Sequence, residues 1–206
     1  GRDDAIVIYP SVDVDKFRIF SENELLQIIA KEWILLQSKW YYISFSRLTH
    51  AKRIDIIIRA FQKIPDKKVL ILYGENDSQK DEFIKMGEGY PNIIFHSLKE
   101  NENLPVILSW AIASISVSEN EDFGMVAIES MASGVPVIGV DEWWYRESII
   151  SGQTGFLITS DNLEENLIST IENTSKNVLQ DMQWACILQA ENFSLKKMYQ
   201  KIKEFI

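Results

Sequence analysis

A chain of 206 residues, 46% hydrophobic and 25% charged, is long enough to bury a full core. Nine Gly and five Pro exclude a low-complexity or collagen-like chain, and a lone cysteine, Cys186, excludes a disulfide framework and a structural zinc cluster. Thirty acidic against twenty-one basic side chains leave a net charge of −9, a poor basis for wrapping nucleic acid, so an anionic ligand must be met by a few local cations and backbone dipoles.

In chain order, residues 5–9 read as a short apolar strand running into Pro10-Ser11-Val12-Asp13. Ser21-Glu22-Asn23-Glu24 has the form of a capping box, and Leu25, Leu26, Ile28, Ile29 and Trp33 behind it predict an inserted helix over about 21–38. Strands follow at 40–45, 68–73, 92–95, 113–117 and 136–140, with an edge strand at 155–158. The segment 68–73 (KVLILY) is apolar almost throughout, as a strand covered on both faces requires. Helical patterns fill the intervals at 53–64, 78–86, 103–112 and 125–133. The last third is helical, at 163–170, 176–190 and 194–206. Alternation at this spacing implies right-handed parallel crossovers, hence a doubly wound parallel α/β sheet, read as one domain over 1–206.

Sheets of this kind take ligands beyond the carboxyl ends of their strands, where strand order reverses. No G-x-G-x-x-G follows the first strands and no G-x-x-x-x-G-K-[ST] occurs anywhere, which argues against a dinucleotide dehydrogenase and a P-loop NTPase. After the strand at 40–45 come Arg47 and, at the mouth of the next helix, Lys52. Two cations beside free helix amides suit a diphosphate, although ordinary solvated charges have the same appearance. His50, between them, reads as a loop residue.

After the strand at 113–117 the chain passes through Glu121 and Gly124 into a helix. Glu129 falls about 7 Å along that helix, so the two carboxylates can hold two parts of one elongated ligand. Each carboxylate can accept from both hydroxyls of a sugar diol. Between them, the amides around Phe123, Gly124, Met125 and Val126 sit at the positive end of the helix dipole, facing a phosphate. The plainer alternative makes Glu121 a dipole-complementing residue and Glu129 a surface charge. Against it, Glu129 lies in an otherwise apolar helix. Past the strand at 136–140, Trp143-Trp144-Tyr145 offers rings for a sugar face, a partner or a neighbouring domain.

Together these segments resemble the nucleotide-sugar half of GT-B glycosyltransferases of the group 1 type (family 4). The resemblance is carried by Arg47 with Lys52, by the E-x7-E spacing of Glu121 and Glu129, and by the run Glu129-Ser130-Met131-Ala132-Ser133-Gly134-Val135-Pro136-Val137-Ile138. It extends through Glu147-Ser148-Ile149-Ile150-Ser151-Gly152-Gln153-Thr154-Gly155-Phe156-Leu157 and a hinge-like Ile8-Tyr9-Pro10-Ser11-Val12-Asp13-Val14-Asp15-Lys16-Phe17. Only the insertion at 21–38 falls outside it.

The resemblance implies one Rossmann-like half of a GT-B fold. Such a half binds a nucleoside diphosphate sugar (a UDP-sugar or GDP-mannose) for retaining transfer, in glycan biosynthesis, to an acceptor held by an N-terminal domain that this chain lacks. Arg47 and Lys52 would stabilise the leaving diphosphate in place of a metal, and Glu121 would hold hydroxyls of the transferred sugar. Phe123, Gly124, Met125 and Val126 would give backbone contacts to sugar and phosphate, Glu129 would take the ribose hydroxyls, and Ser97 and Leu98, after the strand at 92–95, would lie near the base. No metal or other cofactor is expected.

Two positions depart from the family pattern: Trp143-Trp144 stands where Gly-Gly is common, and Arg53 where Gly follows the lysine, either reshaping the helix start or adding a third cation. The sequence shows no signal peptide and no run of ~18 apolar residues, so the expectation is a cytoplasmic location without a membrane span, peripheral attachment of the full-length enzyme being left open. Two other readings share these features. One is a non-catalytic nucleotide-sugar-binding subunit; the other is a fragment of a GT-B nucleotide-sugar 2-epimerase, which needs ring acid and base groups not evident here.

Overall fold

The computed structural model describes residues 7–21, 23–24, 40–98, 104–119, 121 and 123–205. Six strands form one wholly parallel sheet: β1 (Tyr41–Phe45), β2 (Val69–Gly74), β3 (Ile93–Leu98), β4 (Ala111–Ser116), β5 (Val137–Val140) and β6 (Gly155–Ile158). Their spatial order is β3-β2-β1-β4-β5-β6, the Rossmann order. The chain winds outward in one direction from β1 through β2 to β3, then returns to the other side of β1 with β4. The direction of winding therefore reverses between β1 and β4, and their loops diverge there to leave a crevice.

Helices α1 (Ile54–Lys63), α2 (Lys80–Gly87), α3 (Leu104–Leu108), α4 (Met125–Ala132), α5 (Trp143–Ser148) and α6 (Leu163–Asn173) alternate with the strands, and α7 (Lys176–Asp181), α8 (Gln183–Glu191) and α9 (Leu195–Phe205) end the chain. In α1 the spacing of Ile54, Ile57, Ile58 and Phe61 puts four fully buried side chains on one face. Its outer edge is tied to α6, where Glu164 accepts from Arg59 Nε at 2.8 Å and Lys63 Nζ at 2.6 Å. On the other half of the sheet α4 packs against α8. Cys186 of α8 is fully buried and burial pushes its thiol up to about 12, so it acts as a small core residue.

Helix α4 ends at Gly134, whose φ of 73° lets Val135 N–H bond back to Ser130 O and Gly134 N–H to Met131 O, each at 2.9 Å. That turn delivers the chain through Pro136 into β5.

Five expectations need correction. Residues 7–10 form no strand; Pro10 has no N–H to give a ladder, and Val12 makes a single parallel bridge to Ser194 instead (residues 5 and 6 lie outside the described residues). The helix expected at 103–112 stops at Leu108, and Ile112 belongs to β4, because an apolar run of this length does not show by its period where a buried helix gives way to a buried strand. The helix expected at 176–190 is divided at Met182, and Leu179, Met182 and Cys186 all reach the core. Ser97 and Leu98 are the last residues of β3 rather than loop residues after it. A helix, α5, occupies 143–148, where only a ring cluster was read. The helix expected over 21–38 lies almost entirely outside the described residues; at its start Ser21 N–H donates to Glu24 Oε2 at 2.9 Å while Glu24 N–H donates to Ser21 Oγ at 3.3 Å, the reciprocal capping box.

Candidate active-site crevice

Beyond Phe45 the β1 loop is held by Leu48, whose side chain is fully buried and whose N–H donates to Asp77 Oδ2 at 2.8 Å. Asp77 also accepts from Gly74 N–H at 3.2 Å, so one carboxylate fastens the β1 loop to the end of β2. A 3-10 turn, His50–Lys52, then aims Lys52 toward β4. Beyond β4 the chain runs through buried Val117 and Ser118, and Glu119 N–H donates to Ala51 O at 2.7 Å, joining the two loops across the strand reversal.

That join brings together the Lys52 Nζ and Glu121 Oε2 atoms at 2.6 Å, with both side chains no more than one-fifth exposed. Arg53, the next residue, has φ 50° and ψ 38°. Its Nη1 donates to Val117 O at 3.4 Å and to Glu142 Oε1 at 3.3 Å, so it bridges the ends of β4 and β5. Arg47 is exposed and, among the described residues, forms no ion pair. His50 turns away to α2, with Nε2 at 3.5 Å from Glu82 Oε2.

Gly124, with φ 62°, swings the chain into α4. The first amides of α4, at Met125 and Val126, have no acceptor within their own helix and lie at its positive end. One turn further, Glu129 is half-buried and its carboxylate accepts no hydrogen bond among the described residues. Burial pushes its carboxyl up to about 7, while the nearby Lys16 ammonium pulls it down. A half-buried carboxylate without a hydrogen bond is disfavoured relative to one in water, which sets Glu129 apart from a fully solvated surface charge.

The expected ring surface divides. Tyr145 is core: it is fully buried, its hydroxyl lies 2.7 Å from Ser116 Oγ, and burial pushes it up to about 12. Trp144 stacks on Phe123 with centroids 5.0 Å apart and planes at 26°. Tyr9 meets both rings edge-on and donates its hydroxyl to Glu147 Oε2 at 2.7 Å. At the carboxyl ends of β1–β3, Leu98 joins Phe45, Ser46, Leu72, Tyr73 and Gly74 around an apolar cavity of about 230 Å³. Ser97, the preceding residue of β3, does not line that cavity; its Oγ is buried without a hydrogen-bond partner among the described residues.

Among the described residues, no group of three or more His, Cys, Asp and Glu side chains could hold a metal ion, and no helix is long and apolar enough to cross a membrane. Sequence reasoning missed Asp77, Glu142 and the α5 register; Asp77 lies in a Gly-Glu-Asn-Asp turn whose composition marks a loop but not a clasp.

The profile of the family described as "Glycosyl transferases group 1" matches residues 27–185. The chain belongs to the group 1 glycosyltransferases. Among relatives of this group 1 chain, N-acetyl-alpha-D-glucosaminyl L-malate synthase of Bacillus anthracis is 29% identical over 144 residues, covering 68% of this chain and 37% of that protein. The pneumococcal O-GlcNAc transferase GtfA, solved in complex with UDP and GlcNAc, is 26% identical with a TM-score of 0.63, over 82% of this chain and 35% of that one. The fold also matches Anabaena HepE, solved with UDP and glucose, at a TM-score of 0.80 and 19% identity, over 97% of this chain and 55% of that one. The group 1 chain described here thus spans between about a third and just over half the length of these proteins.

Proposed function

We propose that the chain is the donor-binding half of a retaining glycosyltransferase, holding a nucleoside diphosphate sugar across the crevice between β1 and β4. The observation that carries this reading is the 2.6 Å contact of Lys52 with Glu121 where the strand order reverses, a few residues ahead of the free amides of α4. A cation, a dipole and a carboxylate within one crevice match a diphosphate flanked by hydroxylated rings. UDP is the favoured nucleotide, because the 26%-identical GtfA holds UDP and GlcNAc.

In this reading the diphosphate lies against Lys52 and the amides of Met125 and Val126, with Arg47 closing over it from the β1 loop. Glu121 reads hydroxyls of the sugar, and Glu129 accepts from the two ribose hydroxyls. Phe123 and Gly124 line the turn between sugar and phosphate. The base enters the apolar cavity lined by Leu98, the residue after Ser97. On transfer, the bond from the anomeric carbon to the phosphate oxygen breaks, and the diphosphate leaves with the electron pair. A bond to the acceptor oxygen forms on the same face, and the acceptor proton passes to the departing phosphate. Lys52 and Arg47 stabilise the charge that develops, so no metal is required.

The acceptor is held by the remainder of a longer enzyme. A non-catalytic binding subunit would use the same crevice, and reconstitution with an acceptor domain separates the two. Calorimetric titration of the purified chain with UDP and GDP, in chelator and then in Mg²⁺, tests the reading. Binding of UDP that survives chelator supports it; no binding of either nucleotide, or binding only with the metal, contradicts it.

A further inference from the structure

We infer that Arg53 is a diphosphate-binding residue held in reserve by Glu142, which releases it when the anion enters. The inference rests on the donor-site reading above and extends it to two residues outside that assignment. Arg53 sits in the left-handed region at φ 50°, which disfavours a side chain by about 1 kcal/mol or more. A non-glycine residue in such a position calls for a reason, and the side chain supplies one.

The guanidinium crosses from the start of α1 to the ends of β4 and β5, and is only 18% exposed. It reaches across the β4 end that borders the crevice, and Arg53 is next in sequence to Lys52. Both of its bonds use Nη1, and both are long, 3.4 Å to Val117 O and 3.3 Å to Glu142 Oε1. The contrast with the 2.6 Å Lys52–Glu121 contact is plain. Among the described residues, Nη2 and Nε have no acceptor. A guanidinium is a rigid fork suited to two parallel bonds with one oxyanion, and here it makes two weak bonds from a single nitrogen.

Glu142 is 26% exposed and can move out to water once a stronger anion arrives. The exchange replaces one long single-point contact with a bidentate one. It also leaves Arg53 anchored through Val117 O at the end of β4. In this scheme Glu142 lowers the affinity for the diphosphate, although it is paired favourably with Arg53 beforehand. That opposition of sign separates the scheme from a plain structural salt bridge.

The test is calorimetric titration of UDP and GDP into the chain and into Arg53→Gly, Arg53→Lys and Glu142→Gln. Glycine suits φ 50°, so Arg53→Gly keeps the backbone and loses only the side chain. The expected results are a loss of about tenfold or more in UDP affinity for Arg53→Gly, partial recovery in Arg53→Lys, and a gain of severalfold in Glu142→Gln. Unchanged affinity in Arg53→Gly, or a loss in Glu142→Gln parallel to that in Arg53→Gly, overturns the inference and leaves the donor-site reading standing. A wild-type chain that binds neither nucleotide overturns the donor-site reading itself, and this inference with it.

Discussion

The Lys52 ammonium and the Glu121 carboxylate meet at 2.6 Å across 69 positions of sequence. Neither loop could hold its residue there alone. The β1 loop is fastened by Leu48 N–H to Asp77, the β4 loop by Glu119 N–H to Ala51 O, and the pair closes between them. Partial burial makes each ion costly without the other, so each fixes the other's direction. In the donor-site reading, the lysine is thereby oriented before the diphosphate arrives.

The first prediction concerns that lysine. Lys52→Ala should lower UDP affinity by about 10- to 100-fold, the range for losing a charge-assisted bond. Isothermal titration at fixed ionic strength gives the value. A change under twofold would remove Lys52 from the diphosphate site.

The second concerns Glu129, whose carboxyl is raised from 4.5 to about 7 by burial. The folded state holds this proton more tightly than the unfolded chain does. The associated stability is fully present below about pH 4.5 and is lost as pH rises through 7. Glu129→Gln cannot ionise, so it should be the more stable protein at pH 8.5, by on the order of 2–3 kcal/mol, with the gap closing near pH 4.5. Urea denaturation of both proteins at the two pH values tests this. A gap independent of pH would show that Glu129 is not desolvated.

Third, Gly155 opens β6 at φ 147°, where an added Cβ would overlap the Val137 carbonyl on β5. Gly155→Ala should therefore destabilise the fold by at least about 3 kcal/mol, since backbone, unlike a side-chain tip, cannot move aside. A melting temperature within a few degrees of wild type would contradict the β5–β6 register.

Much of the sheet was legible because parallel strands buried on both faces are written as apolar runs, and KVLILY is such a run. The same uniformity hid the border at 108–111, where helix and strand are equally apolar. The candidate site was legible as far as it lies in local order: a cation after β1, carboxylates at the spacing of Glu121 and Glu129, a glycine before α4. What joins the loops was not legible. The Arg53–Glu142 contact depends on a backbone angle and on α5 beginning at Trp143, and neither leaves a pattern in sequence. Tyr145 misled because a ring past a strand end looks the same in sequence whether it turns out to a ligand or in to Ser116.

Fourth, the chain alone should transfer no sugar. Transfer requires an acceptor oxygen held about 3–3.5 Å from the anomeric carbon, and the donor crevice does not by itself position one. Incubation with a panel of nucleotide sugars, with and without acceptors, should give at most slow donor hydrolysis. Efficient transfer would overturn the assignment to a donor half.

The most direct test of the donor site compares UDP with 2′,3′-dideoxy-UDP by calorimetry on the wild-type chain and on Glu129→Ala. The account predicts that the wild-type chain binds UDP about tenfold or more tightly than the dideoxy form, and that Glu129→Ala binds the two alike. Equal affinity of the wild-type chain for both, or binding of neither, would contradict it.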